Sequence, residues 1–525
     1  MNAAGGAPSA AAALGTPGEV SSRVLPIVLW IHLVAGLAGA CALMAWYWPG
    51  SFFDSTTSNV WMALASDFAS GEFYRPVMSP SGYGGTRYMP LLFILYGGLL
   101  KAGADPIVAG VVLMQASVLA LAFAIYGVLR LAGAASHTAV PLAGSVFCTA
   151  VYQSYCTDVR PDYLAAAWSI FALWLVLSYG RKPRARYLAG AAAACVAAAL
   201  TKLTSPLLAA PFAAWLLLTR RHRTAIRFIA GTAAILAAAF AVANRASSGQ
   251  LLANLRAMAT AGMAAADAEA AAGGFARRLV VDPFILAPVL LGVTTFLPNV
   301  RSRVYSLPHL YFAVATCVTL AIFMSPGTVS NHLIDLHAAS VVLVGVSLTM
   351  GNLTIIRLVP PTYALLTALM VAISIPVPGI PSVHRTLSRQ GNRGGRRRST
   401  VLAIHDAFLG SGVRYLSLDP VVPLLHGDRP ILLDPFAMEV FFHTGHLAAE
   451  DFRRRIIDHE FDVVIVRDDE SFPTDMDEGT AEVQKGVTNH FSENGSAMTR
   501  LLAAEYDVRA VRAPFLILRP RLRHD

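Results

Sequence analysis

Charged side chains are what this sequence has least of. Only 14% of its 525 residues are Asp, Glu, Lys or Arg, against about a quarter in a soluble chain of ordinary composition. That shortfall excludes a conventional soluble enzyme. Cysteine is sparse as well: Cys41, Cys148, Cys156, Cys195 and Cys317 all fall in or at the ends of apolar runs. None has metal-ligand spacing and nothing suggests a disulfide framework, so they read as small core residues. A small-residue cleavage site is missing after the first apolar run, which ends instead in Trp46, Tyr47 and Trp48. That run is therefore a retained span and not a signal peptide.

Apolar sequence takes the place of charge. Hydrophobic residues make up 55% of the chain and mean hydropathy is +0.55. Runs of about 20 apolar residues match a ~30 Å hydrocarbon layer. The sequence reads as a polytopic α-helical membrane protein of about 11 spans with a small C-terminal α/β domain outside the membrane. The spans are expected near 24–47, 106–130, 138–155, 162–179, 187–201, 205–219, 225–243, 283–298, 307–324, 336–350 and 359–377. Residues 90–104 are short and carry Gly97 and Gly98, which assigns them to an interfacial helix.

The net charge of +9 comes largely from arginines in short breaks near residues 130, 181–186, 220–227 and 301–303. By the positive-inside rule those breaks face the cytoplasm, so the charge reports topology and not nucleic acid. The loops holding Asp54, Arg160, Lys202 and Asn331 then share the opposite face. Residues 1–23 are expected to be a disordered tail, 24–378 the membrane domain with its first external loop at 48–105, 379–398 a basic glycine-rich linker, and 399–525 the α/β domain. Strands are expected at 413–418, 430–435, 462–466 and 514–518, and a helix at 448–459. Residues 244–282 read as a mobile amphipathic lid. The Asp475/Asp477 pair lies in an acidic turn and reads as a solvated loop.

The first loop concentrates the chemistry that the spans avoid. Asp54 is either the N-cap of a helix starting near Thr56 or a base at the membrane surface. Arg87 and Tyr88 are either interface anchors or ligand contacts. Arg160-Pro161-Asp162 is ordinary helix-start chemistry. Lys202 sits between two short apolar runs, where a lone charge is costly and has a partner or a task. Asp67 competes with Asp54 as a base but lies mid-helix and is expected to face water. One carboxylate, several cations and aromatics on one face suit a reaction whose leaving group is a lipid phosphate, which departs without an acid.

The motifs Asp54-Ser55, A-S-D-F-A-S-G-E-F-Y-R-P, T-R-Y-M-P-L, R-P-D-Y-L-A (160–165), L-T-K (200–202) and S-P-G-T-V-S-N-H-L-I-D-L (325–336) resemble the GT-C superfamily. These are polyprenyl-phosphate-sugar-dependent glycosyltransferases, among them protein O-mannosyltransferases and lipid A aminoarabinose transferases. The resemblance covers residues 24–378. It implies inverting hexosyl or pentosyl transfer to a glycan, lipid or protein acceptor on the outer face of a bacterial inner membrane. It implies Asp54 as general base; Arg160, Lys202 and Arg87 on the donor phosphate; and Tyr88, Asp162, Asn331 and His332 on substrate. Ser55 departs from the family's common Asp-Glu pair. No metal ligand is assigned, and a divalent cofactor is left open. A multi-pass transporter and a membrane-anchored envelope assembly protein are the alternatives; a transporter would place ionisable residues near mid-span.

Overall fold

A computed structural model of the chain describes residues 17–47, 53, 55–259, 268–301, 306–324, 328–350, 353–374, 398–467, 496–512 and 514–521. Asp54, the Asp475/Asp477 pair and residues 379–397 of the expected linker lie outside the described residues. Helix α1 (Pro17–Tyr47) is already helical within the stretch read as a tail. There follow α2 (Thr56–Ala69), a two-residue hairpin of β1 (Met78–Ser79) and β2 (Gly82–Tyr83), and α3 (Pro90–Lys101). Next come α4 (Pro106–Ala132), α5 (Ser136–Ala143), α6 (Ala150–Tyr155), α7 (Pro161–Arg181), α8 (Ala185–Thr201), α9 (Ala210–Leu218) and α10 (His222–Ala246). The bundle is completed by α11 (Gln250–Ala259), α12 (Ala268–Val281), α13 (Pro283–Arg301), α14 (Leu307–Phe323), α15 (Ile334–Thr349) and α16 (Leu353–Ser374).

The ends of α4 show how sequence sets these boundaries. Asp105 accepts hydrogen bonds from the Ile107 and Val108 amides at 3.0 and 3.2 Å, and Pro106 takes the first helical position. Gly133 closes the helix at φ 103°, a conformation that suits glycine.

Among the described residues, five helices are long and apolar enough to cross a membrane, and a sixth if the pair Ala272–Val281 and Pro283–Pro298, bent by 111°, counts as one. Shorter apolar helices, among them Ala185–Thr201, Ser205–Leu218 and Leu307–Phe323, coincide with further expected spans. The third expected span, 138–155, is broken into α5, a 3-10 segment Gly144–Cys148 and α6. Pro141 inside α5 removes a helical amide, and Thr149 starts α6 afresh by accepting from the Tyr152 amide at 3.1 Å. Asp282 joins this break to the bend at α13, accepting from the amides of Val151, Phe284 and Ile285. Of the cysteines, Cys41 and Cys317 are exposed and are not core residues.

The C-terminal part contains α17 (Arg398–Phe408), β3 (Tyr415–Ser417), α18 (Val421–His426), α19 (Pro435–Thr444), α20 (Leu447–Ile457), β4 (Val463–Arg467), α21 (Ala497–Glu505), β5 (Tyr506–Arg512) and β6 (Phe515–Pro520). The sheet order is β3-β4-β6-β5, parallel at β3/β4 and antiparallel elsewhere. The strand expected at 430–435 does not enter this sheet. It pairs with the first loop instead: the Tyr83 amide donates to Ile431 O at 2.7 Å and the Leu433 amide to Tyr83 O at 3.0 Å. One apolar core contains Trp61 and Tyr96 of the first loop together with Val401, Val421, Leu433 and Phe515 of the C-terminal part. The expected lid is a wedge at its start: α11 buries Leu251, Asn254 and Met258.

Candidate functional site

Three helix ends meet at one point. Arg160, Pro161 and Asp162 open α7; Lys202 ends α8; and a 3-10 turn, Ser330–Leu333, leads into α15 with Asp335 in its first turn. Lys202 Nζ lies 2.8 Å from Asp162 Oδ1 and 3.3 Å from Asp335 Oδ2. Asn331 Nδ2 donates to Asp162 Oδ2 at 2.5 Å, and His332 Nδ1 is 3.8 Å from Asp162 Oδ1. Lys202 is 8% exposed and Asp162 1%. Asp162, Lys202, Asn331 and His332, all singled out from sequence, are thus one cluster. Asp335 was not singled out, because an acid in the first turn of a helix reads as an end-of-helix charge.

The expectation that Lys202 offers a cation to a phosphate meets an obstacle here. Two carboxylates already hold it. Its geometry is that of a clamp between α7, α8 and α15.

Arg160 faces the first loop. Its Nη2 donates to Ser55 Oγ at 2.8 Å, its guanidinium lies 4.4 Å from the Tyr155 ring centre, and Asp158 is 3.9 Å away. Val159 N and O bond the Ser58 hydroxyl at 3.1 and 3.3 Å. Helix α2 begins at Thr56, so the N-cap position belongs to Ser55, whose side chain serves Arg160 and not the helix. The capping role considered for Asp54 falls one residue away from the actual cap. Arg87 and Arg160 are both within electrostatic range of His332. Tyr88 packs its ring 4.5 Å from that of Trp61. Asp162, Lys202, Asn331 and His332 are thus joined by direct contacts at helix ends, Arg160 opens the same helix as Asp162, and Arg87 and Tyr88 lie in the loop before α3.

Asp67 does not face water. It is 6% exposed and takes both Arg75 Nε and Nη2 at 2.8 Å, while Arg75 Nη1 donates to Pro430 O at 2.6 Å. Arg429 adds a contact at 3.4 Å. Burial raises the Asp67 carboxyl above its ordinary range, and the two guanidinium groups offset part of that rise. With its lone pairs engaged, it is a structural acid.

The C-terminal part reaches the same region with residues that sequence gave no reason to select. Asp419, fully buried, accepts from Asn59 Nδ2 at 2.9 Å and from Arg467 Nη1 at 2.8 Å, and Arg467 Nη1 also approaches Phe53 O at 3.5 Å. Asp434 caps α19 by accepting from the Phe436 amide at 3.0 Å and is 3% exposed. Burial pushes its carboxyl up to about 6, partly offset by the positive charge of Arg87. The signal was absent because Asp-Pro before a helix reads as a cap and nothing more.

The raised Asp434 value fixes a pH dependence. A carboxyl at 3.8 when unfolded and about 6 when folded takes up its proton preferentially in the folded state. Its contribution is complete below about 4 and is lost as pH rises through about 6. Asp434→Asn keeps the cap and removes the buried charge. It is expected to stabilise the protein by roughly 2–3 kcal/mol at pH 8 and by nothing at pH 4. Thermal unfolding in detergent at both values checks this; an equal gain at both would show that the carboxyl is not the source.

Among the described residues no group of three or more His, Cys, Asp or Glu side chains is arranged to hold a metal. No protein-family model matches the chain, and no curated protein matches it. Solved structures do. The crystal structure of ArnT from Cupriavidus metallidurans in the apo state aligns at TM-score 0.55 and 13% identity, covering 92% of this chain and 97% of that one. The same protein bound to undecaprenyl phosphate aligns at TM-score 0.52 and 12% identity, covering 96% and 98%. The chain has the ArnT fold. Near-complete coverage on both sides means the ArnT likeness takes in the C-terminal part as well as the apolar helices. The likeness shows a fold consistent with the motif resemblance.

Proposed function

We propose that this chain transfers a sugar from a polyprenyl-phosphate donor to a glycan, lipid or protein acceptor, at the outer face of a bacterial inner membrane. The observation that carries the reading is the hydrogen bond from Arg160 Nη2 to Ser55 Oγ, which ties the first loop to the start of α7 beside the buried Asp162–Lys202–Asp335 cluster. The ArnT structure with undecaprenyl phosphate supplies the donor class. In this reading Asp54 takes the proton from the acceptor hydroxyl, and the hydroxyl oxygen attacks the anomeric carbon. The bond to the phosphate oxygen breaks with inversion, and its electron pair leaves on the lipid phosphate.

Arg160 and Arg87 stabilise that developing charge. Lys202 holds α7, α8 and α15 in register, which sets the position of Asn331 beside Asp162. Tyr88, His332 and Asp162 line the same region, and the C-terminal part serves the acceptor side or a docking partner. A transporter would keep its ionisable groups near mid-span; here they gather at helix ends.

The test is transfer by membranes containing the protein, supplied with a panel of radiolabelled polyprenyl-phosphate sugars. Label passing from one of them to an acceptor supports the reading. If no donor in the panel gives label above control membranes, the reading is lost.

A further inference from the structure

The segment carrying Arg87 is gripped from several sides. Gly85 N and Thr86 N both donate to Asn254 Oδ1, at 2.7 and 3.1 Å, and Asn254 Nδ2 donates to Arg75 O at 3.0 Å. Asn254 is completely buried. Gly85 has φ +87°, and a Cβ there would meet the Phe441 ring at 2.7 Å. The Tyr88 amide donates to Thr86 Oγ1 at 3.1 Å. The Tyr74 hydroxyl donates to Tyr88 O at 2.8 Å, from a residue held at φ 69°. A non-glycine residue in that left-handed region persists only where its surroundings over-determine it. Beyond the backbone, the Arg87 guanidinium lies 4.8 Å from the centre of the Phe436 ring, within range of a cation–π contact.

Resting on the donor reading above, we propose that Asn254 and Phe436 are positioning residues for Arg87. Asn254, from the middle of the chain, fixes its backbone; Phe436, from the C-terminal part, fixes its guanidinium at the Arg160–His332 end of the site. A cation whose backbone and head are both set in advance loses less side-chain freedom when an anion arrives. The C-terminal part is then a wall of the donor site and not an acceptor module alone.

The experiment measures binding of undecaprenyl phosphate to the purified full-length protein, for the parent and for Phe436→Leu, Asn254→Ala and Phe436→Trp, each with and without Arg87→Gln. Phe436→Leu and Asn254→Ala are expected to weaken binding about three- to tenfold in the Arg87 background and not at all in the Arg87→Gln background. Phe436→Trp keeps an aromatic face and should bind as the parent does. Equal losses in both backgrounds, or weakening by Phe436→Trp matching that by Phe436→Leu, would overturn the positioning role alone. A parent protein that does not bind undecaprenyl phosphate, or whose binding ignores Arg87→Gln, would instead overturn the donor reading and this proposal with it. Phe436 is half-buried, so its variants test the idea even where Asn254→Ala fails to fold.

Discussion

Lys202→Met is expected to destabilise the protein by roughly 3–5 kcal/mol, the cost of removing one partner from a buried charge cluster. The reason is what the lysine leaves behind. Asp162 and Asp335 both contact its ammonium, at 2.8 and 3.3 Å, and each belongs to a different helix. Without it, two carboxylates share a desolvated space, with Asn331 and His332 beside Asp162. Unfolding of the detergent-solubilised variant gives the measurement, and Lys202→Met/Asp335→Asn supplies the control. Removing one of the two stranded charges should recover a substantial part of the loss, since contacting residues do not add independently. A Lys202→Met protein as stable as its parent, but unable to bind undecaprenyl phosphate, would restore the lysine as a phosphate ligand and sink the clamp.

The second large effect is on rate. Asp54→Asn should lower turnover by about 10²–10⁴, the usual worth of a general base, with folding and donor binding retained. Ser55 occupies the N-cap position of helix α2, so Asn at residue 54 leaves that position unchanged. Single-turnover transfer with bound donor separates the chemical step from binding. Activity within about twofold of the parent would dismiss Asp54 as the base. The next candidate would be Asp434, whose carboxyl sits near the pH range where a base is effective. Asp67 and Asp162 would not be, because Arg75 and Lys202 occupy their oxygens.

The membrane class, the grouping of the polar residues and the α/β character of the C-terminal part were legible in the sequence, for a common physical reason. Hydrocarbon tolerates so few charges that each exception in an apolar background stands out, as Lys202 and Asp162 do. Pairing was not legible. Nothing within ALASDFASG tells that Arg75, eight residues on, and Pro430 lie against Asp67. Nothing in PILLDP tells that Leu432 pairs with Tyr83 and not with the sheet. Strand β5 was missed because Asp507 and Arg509 interrupt its apolar positions, while β4 was found because VVIV is uninterrupted. A continuous span was expected at 138–155, where Pro141 and the 3-10 segment Gly144–Cys148 interrupt the helix, since hydropathy registers composition and not backbone geometry.

The pairing of Tyr83 with residues 431–433 also sets an order of assembly. The first loop is synthesised about 350 residues ahead of its partner strand. At 5–20 residues per second it waits roughly 20–70 s with that edge open. During this interval the backbone of residues 82–83 and the apolar face around Trp61 have no C-terminal cover. Ribosome-stalled chains of increasing length should gain protease resistance in the loop only after residue 433 has emerged; resistance in shorter chains would show that the loop closes by itself. Closure of the first loop is thereby timed to the arrival of the last quarter of the chain, so that a prematurely terminated copy is left with a visible lesion instead of a half-working site.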